Sequence, residues 1–281
     1  MIGYYKTKLK TIGLVSPRKA AEVAYELFCT PYGGRPKNKM PALFEKAEQL
    51  SFTADGIDVR GFRFLSPKPN GRKIVIAHGF SSYSYKFEKY ITLFTREGFE
   101  VLTFDAPAHG MSGGKLINAA IYRDILIQIE ELYGPVYGIM GHSLGGISAA
   151  LAFETFAGQE NRKLVLIAPA TETETTIGDF FRMLPVDEKV KEAFISMVTE
   201  IAGNPVSYFS VSRVVKNTKG SVLWVHDKND PICPYKDVEP LLSLDLPHVR
   251  FLITEHLGHS KVYKDSAVST QIVQFFNPKN T

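Results

Sequence analysis

The chain has 281 residues, a formal net charge of +4 and a 44% share of hydrophobic residues, enough for one large α/β domain with an insertion or for two modest domains. No apolar run approaches the roughly eighteen residues of a membrane span, and Ile12-Gly13-Leu14-Val15 is too short for the core of a signal peptide. The only cysteines, Cys29 and Cys233, have no Cys-x-x-Cys spacing, which excludes a disulfide framework or a zinc site of that kind and reads as a cytoplasmic protein in a reducing compartment.

The positive charge is an N-terminal property. Residues 1–50 hold nine Lys or Arg against four Asp or Glu, whereas the remainder holds 24 against 25. A solvated face accounts for this better than an anionic partner, because the lysines are not joined to a strong apolar helix face. No nucleic-acid-binding motif is present, so no nucleic-acid partner is expected.

Ser16-Pro17 reads as an N-cap followed by proline at the first helical position. Ala20, Val23, Ala24, Leu27 and Phe28 then form one apolar face, which predicts a helix to about Cys29. The cluster of residues 30–36, rich in Pro and Gly, ends it, and a weaker helical pattern covers Ala42 to Gln49. Residues 1–49 are therefore expected to be a helical appendage without chemistry of its own. From Leu50 the period changes to two. Leu50, Phe52 and Ala54, the Asp55-Gly56 turn, and Ile57 to Leu65 read as a β-hairpin. Strands at Lys73–Ala77, Glu100–Phe104 and Lys163–Ala168 then alternate with helices at Tyr85–Glu97 and Asn118–Tyr133. Such alternation implies βαβ crossovers and an α/β class, with a doubly wound, mostly parallel sheet.

Within that alternation the apolar run Val136 to Met140 meets Gly141-His142-Ser143-Leu144-Gly145-Gly146 and opens into a helical pattern through Phe156. A Gly-x-Ser-x-Gly turn between a strand and a helix is the context a nucleophilic serine requires. Its strained turn needs small flanking residues, and the new helix aims free N–H groups near the Ser143 hydroxyl. Residues 171–218 break the rhythm with helical pieces alone and are expected to be a small cap inserted into a core of residues 50–170 and 219–281. Strands at Ser221–His226 and Val249–Glu255 and a final helix from Lys261 to Phe276 resume the pattern.

A serine hydroxyl needs a base, and the base needs an orienting acid. Both belong at the carboxyl ends of later strands, where open α/β sheets place their ligand crevice. Asp230 and Asp227 follow one such strand, and His259 and His256 another. The order serine, acid, histidine over these elements resembles the α/β-hydrolase superfamily of serine hydrolases. The resemblance covers about Ser51 to Phe276. It rests on His78-Gly79-Phe80, on Asp105-Ala-Pro-Ala-His-Gly-Met-Ser112, on the elbow around Ser143, and on the pair of an Asp before Pro231-Ile232-Cys233-Pro234 and a late Gly258-His259. Ala108 departs from it, since many relatives carry arginine there.

The resemblance implies a fold and a set of roles. Asp230 is preferred to Asp227 and His259 to His256, so the expected triad is Ser143, Asp230 and His259, with the backbone N–H groups of Phe80 and Leu144 as the oxyanion hole. His142 is expected to point away from Ser143, and His78 and His109 to hold loops. No metal or cofactor is expected. The implied reaction is cleavage of a carboxylic ester or thioester through an acyl-enzyme. The same triad can also serve amide, C–C or perhydrolytic chemistry, and a non-catalytic binding module is expected to lack a triad residue, which this chain does not. The apolar content of the cap implies a small to medium acyl group, with Phe180, Phe181 and Met183 as candidate lining residues and Tyr83 beside the oxyanion loop. A small-molecule substrate is the expected partner, and the oligomeric state is left open.

Overall fold

A computed structural model describes residues 2–33, 35, 36 and 39–277. Residue 34 of the expected turn cluster lies outside that set. The strands are β1 (Glu48–Ala54), β2 (Ile57–Phe64), β3 (Lys73–Ala77), β4 (Glu100–Phe104), β5 (Gly138–His142), β6 (Lys163–Ile167), β7 (Ser221–Asp227) and β8 (Val249–Thr254). The helices are α1 (Ile2–Val15), α2 (Pro17–Cys29), α3 (Ala42–Glu45), α4 (Glu88–Arg96), α5 (Ala119–Tyr133), α6 (Leu144–Phe153), α7 (Thr173–Met183), α8 (Glu188–Ala202), α9 (Val211–Asn217), α10 (Glu239–Leu242), α11 (Gly258–Lys261) and α12 (Ser266–Phe276).

One eight-stranded sheet runs in the order β1-β2-β4-β3-β5-β6-β7-β8. The β1–β2 and β2–β4 pairs are antiparallel, and every other pair is parallel. This is the α/β, doubly wound, mostly parallel sheet expected from the sequence. The first hairpin closes at Asp55 and Gly56, both at positive φ (48° and 75°), the geometry of a tight two-residue turn. Central strands are buried on both faces, and alternate residues serve different layers. Ile74, Ile76, Val165, Ile167, Leu223 and Val225 join one apolar cluster with residues of α4 and α12. On the opposite face α6 packs on β5 and β6, flanked by α5 and α9.

Several helix starts are set by local chemistry. The Ser16 hydroxyl accepts the Lys19 N–H ahead of Pro17, Asn118 accepts the Ile121 N–H, and Asp265 accepts the Val268 N–H. Asp265 also explains why the single C-terminal helix expected from Lys261 is two: α11 ends at Lys261 and α12 needs its own cap. The helical pattern at Ala42–Gln49 shrinks to one turn because Glu48, Gln49 and Leu50 pair with β2 instead. Residues 2–15 form a helix that periodicity does not announce. It is held by Leu9, which is fully buried.

The chain separates into two compact units. One comprises residues 1–30 and 172–210, and the other residues 31–171 and 211–281. In the first, α1 and α2 pack with α7 and α8 of the insertion around Phe28, Phe180, Phe181 and Phe194, so the N-terminal helices and most of the insertion share one core. The second holds the sheet. No described helix is long and apolar enough to cross a membrane.

At the C-terminus of the sheet unit, fully buried Phe276 meets Phe94 edge to face at 5.3 Å and approaches Phe99 at 6.4 Å. Phe276→Ala is expected to lower stability by about 3–5 kcal/mol, the cost of a cavity in rigid surroundings. The shift of the urea midpoint measures it.

Candidate active site

Ser143 sits between β5 and α6 with φ 55° and ψ −121°, a conformation L-residues avoid and which costs on the order of 1–3 kcal/mol. Its surroundings impose that conformation. The Ser143 N–H donates to the Ile167 carbonyl at 3.1 Å, while its own carbonyl accepts the N–H groups of Gly146 at 2.9 Å and of Ile147 and Ala170 at 3.2 Å. The flanking glycines make the crossing possible. A Cβ on Gly145 would lie 2.3 Å from the Ala77 carbonyl oxygen, and one on Gly141 would lie 2.3 Å from the Gly145 oxygen. The turn thus brings α6 against the end of β3.

Asp230 lies in the loop after β7 with its side chain wholly buried. Its Oδ1 accepts the N–H groups of Ile232 (2.8 Å) and Cys233 (2.9 Å), and its Oδ2 accepts Nδ1–H of His259 at 2.8 Å. Burial alone would push the carboxyl up, but the His259 hydrogen bond and charge and the two backbone donors outweigh it and hold Asp230 below the usual carboxylate range. An ionised Asp230 accepts only, so Nδ1 of His259 carries the proton and Nε2 carries a lone pair. Neither that Nε2 nor the Ser143 hydroxyl hydrogen-bonds to any described residue.

His142 connects the two arms. Its Nε2 donates to the His259 carbonyl at 3.1 Å, and its ring lies 4.7 Å from the rings of His259 and Tyr263. Burial, reinforced by the neighbouring His259, pushes its pKa down to about 3, so His142 is a neutral prop beneath the His259 segment. The competing residues are occupied elsewhere. The Asp227 carboxylate accepts the Asn229 N–H (3.0 Å), the Thr254 hydroxyl (2.7 Å) and the Leu257 N–H (3.0 Å), tying the end of β7 to the loop that carries His259. His256 is exposed at φ 67°, with its N–H on Asn229 Oδ1.

The loop after β3 supplies the second wall. A Cβ on Gly79 would lie 3.0 Å from the Ser143 Cβ, which measures how closely this backbone approaches the serine. Two neutral histidines fix it. His78 Nε2 accepts the Ala106 N–H and His109 Nε2 accepts the Ser81 N–H, each at 2.9 Å, while their Nδ1–H groups donate to the carbonyls of Gly79 and Pro107. Burial lowers both, His109 to about 4, so each keeps the tautomer that accepts at Nε2. Asp105 completes the knot. Its carboxylate accepts the Ser84 N–H and hydroxyl at 2.8 Å and the Met111 N–H at 2.9 Å. Between these anchors the Phe80 N–H has no acceptor among the described residues, and Leu144, first in α6, offers one of the N–H groups without an intrahelical partner.

The residues expected to line a substrate have other surroundings. Phe180 and Phe181 are buried in the core of their own unit, where Phe180 meets Phe28 at 5.2 Å and Phe181 meets Phe194 at 5.0 Å. Phe181 also lines a groove of about 430 Å³ between α7 and α8 with Ile177, Gly178 and Ile195. Met183 is 59% exposed. Tyr83 is half-buried just after the loop that holds Phe80, with the Lys86 ammonium 5.0 Å above its ring. Among the described residues no group of three His, Cys, Asp or Glu side chains is arranged to hold a metal ion. Sequence reasoning left Asp105 and Asp227 without roles. The spacing of Asp105 from His109, and an aspartate ending a buried strand, were the available signals.

The chain matches one family and is similar to proteins of known sequence and structure. The sequence model of the family "Serine aminopeptidase, S33" matches residues 68–229, more than half of the chain, and stops one residue before Asp230. The uncharacterized protein YqkD of Bacillus subtilis is 24% identical over 239 residues, 78% of this chain and 76% of that protein. Among solved structures, the Pyrococcus furiosus esterase Pf2001 superposes with a TM-score of 0.65 at 17% identity, over 89% of this chain and 98% of its own. A monoacylglycerol lipase of Paleococcus ferrophilus does so with a TM-score of 0.57 at 21% identity, over 77% and 98%.

The carboxylates that hold the site also set its acid sensitivity. Asp227 lies below the ordinary carboxylate value, because the Thr254 hydroxyl and the N–H groups of Gly258, Leu257 and Asn229 outweigh the upward push of burial; Asp230 is lowered as well. Their stabilisation is present above about pH 4, their unfolded value, and is lost as pH falls through the folded values. Asp227→Asn should lower the melting temperature at neutral pH and flatten its decline on acidification, measured by thermal denaturation across a pH series.

Proposed function

The chain belongs to the serine aminopeptidase S33 family of α/β-hydrolases and is a hydrolytic enzyme, and from that premise we propose that it cleaves carboxylic ester or thioester bonds through an acyl-enzyme on Ser143. The observation that carries this reading is the 2.8 Å hydrogen bond from His259 to a buried, doubly held Asp230. It fixes the imidazole with Nε2 as acceptor. His259 then takes the Ser143 proton as the hydroxyl oxygen attacks the substrate carbonyl carbon, and Asp230 stabilises the imidazolium that forms. The carbonyl electrons move to the oxygen, which the N–H groups of Phe80 and Leu144 receive. Collapse expels the alcohol or thiol, protonated by His259. Water repeats the sequence and releases the acid.

The family's description favours a second reading, amide cleavage next to a free amino terminus. Such a substrate brings an ammonium group that needs a carboxylate to bind it. Around Ser143 the sheet unit offers Asp105, Asp227 and Asp230, and internal hydrogen bonds engage all three. Ester chemistry therefore leads, in keeping with the esterase and monoacylglycerol lipase among the structural neighbours. A small to medium apolar acyl group is proposed, with Tyr83 as a lining residue, since Phe180 and Phe181 serve their own core.

A fluorophosphonate is expected to label Ser143, and Ser143→Ala to reduce kcat on p-nitrophenyl acyl esters by about 10⁴-fold or more while melting as the parent does. Near-native turnover by that variant, or folded parent protein that resists the label, would overturn the mechanism. Faster cleavage of aminoacyl amides than of esters would select the second reading.

A further inference from the structure

We propose that the outer face of α1, expected from the sequence to be a solvated face, docks on an anionic lipid surface, independently of the reaction at Ser143. Residues 1–21 contain Lys6, Lys8, Lys10, Arg18 and Lys19 and no Asp or Glu. The inner face of α1 is committed to its own unit through Leu9, which is fully buried, and half-buried Tyr5. At about 100° per residue, Tyr4, Thr7, Thr11, Leu14 and Val15 fall in one sector opposite Leu9. Lys10 flanks one margin of that sector and Lys8 the other, and exposed Lys6 lies beyond Lys10 toward the inner face.

The sector is wet and apolar at both ends. Tyr4 is 66% exposed, and the consecutive Leu14 and Val15, at the corner into α2, are 82% and 87% exposed. Arg18, beyond that corner, is engaged with Glu200 at 2.8 Å, whereas Lys6, Lys8, Lys10 and Lys19 make no ion pair among the described residues. Apolar side chains at the two ends of the face, with ammonium groups on long stems beside it, match the division between acyl chains and anionic headgroups. The alternatives fit less well. A second copy docked on the same face would set lysine against lysine with no acid on α1 to relieve them. An acidic macromolecule would satisfy the lysines and leave Leu14 and Val15 in water.

The test is sedimentation of the full-length protein with vesicles of phosphatidylcholine alone and of an equal mixture with phosphatidylglycerol. Partitioning is expected to be at least about tenfold stronger with the anionic vesicles and to collapse in high salt. The double variant Lys6→Glu with Lys10→Glu should lose it, and so should Leu14→Asp with Val15→Asp. Circular dichroism checks that each is folded, and the salt dependence of the parent needs no variant. The proposal falls if anionic and neutral vesicles bind alike, if neither binds, or if the folded lysine variant binds as the parent does. Self-association in light scattering that the same substitutions abolish, without vesicle binding, would assign the face to a second copy and also overturn it.

Discussion

Everything at the candidate site follows from the backbone of Ser143 being held at φ 55°. An isolated strand-to-helix junction would relax out of that region, so the conformation is a property of its neighbours. Ile167 receives its N–H, and Gly146, Ile147 and Ala170 all donate to its carbonyl. Those partners lie on β6, on the loop after it and on the first turn of α6. The parallel sheet is therefore the device that fixes the serine on its backbone face and leaves its hydroxyl outside the hydrogen bonds of the scaffold. Central strands buried on both sides give that device its stiffness.

The polar groups around the serine divide into two sets by what their hydrogen bonds do. Asp105, Asp227, His78, His109 and His142 spend their hydrogen-bonding capacity on backbone groups and hydroxyls, joining loops that arrive from different strands. Burial keeps the three histidines neutral, which for His78 and His109 suits ties made through one donor and one acceptor nitrogen, while His142 is tied through Nε2. Asp230 and His259 differ in pairing with one another. Asp230 aligns His259, and the Nε2 of His259 is not consumed by the scaffold. A buried carboxylate is costly unless it is paired, so the same bond that orients His259 also keeps the loop of Asp230 closed.

Much of this was legible in the sequence, and the legible part shares a physical basis. β3 and β4 fall at their expected bounds because a buried strand is a short apolar run between polar or glycine-rich breaks. Order and placement past successive strands pointed to an aspartate and a histidine, and the family resemblance to Asp230 and His259 over Asp227 and His256; the two are hydrogen-bonded. Asp105 and Asp227 were not readable, because their roles arise from hydrogen bonds between loops far apart in the chain. Helix α1 escaped notice for a related reason. Its own periodicity is weak, and the buried side of Leu9 is defined by α2, not by local pattern. Phe180 and Phe181 were misleading in the opposite sense. An aromatic cluster in an insertion has the same composition whether it faces a ligand or a core, and here Phe28 of α2 supplies the core partner.

That partnership has a structural consequence. The helical unit is assembled from residues 1–30 and 172–210, two segments with most of the sheet between them in sequence. Neither segment can bury its aromatic face alone: Phe28 lacks Phe180 and Phe194, and α8 lacks the face that α2 covers. The unit is thus built from nonlocal contacts, whose chain-closure entropy must be met before they stabilise anything. In the sheet unit Ser143 and Asp230 are anchored by backbone groups within a few residues or on an adjoining strand or loop, and His259 by the side chains of Asp230 and His142. The aromatic side chains of the helical core take part in none of the hydrogen bonds around Ser143, Asp230 and His259.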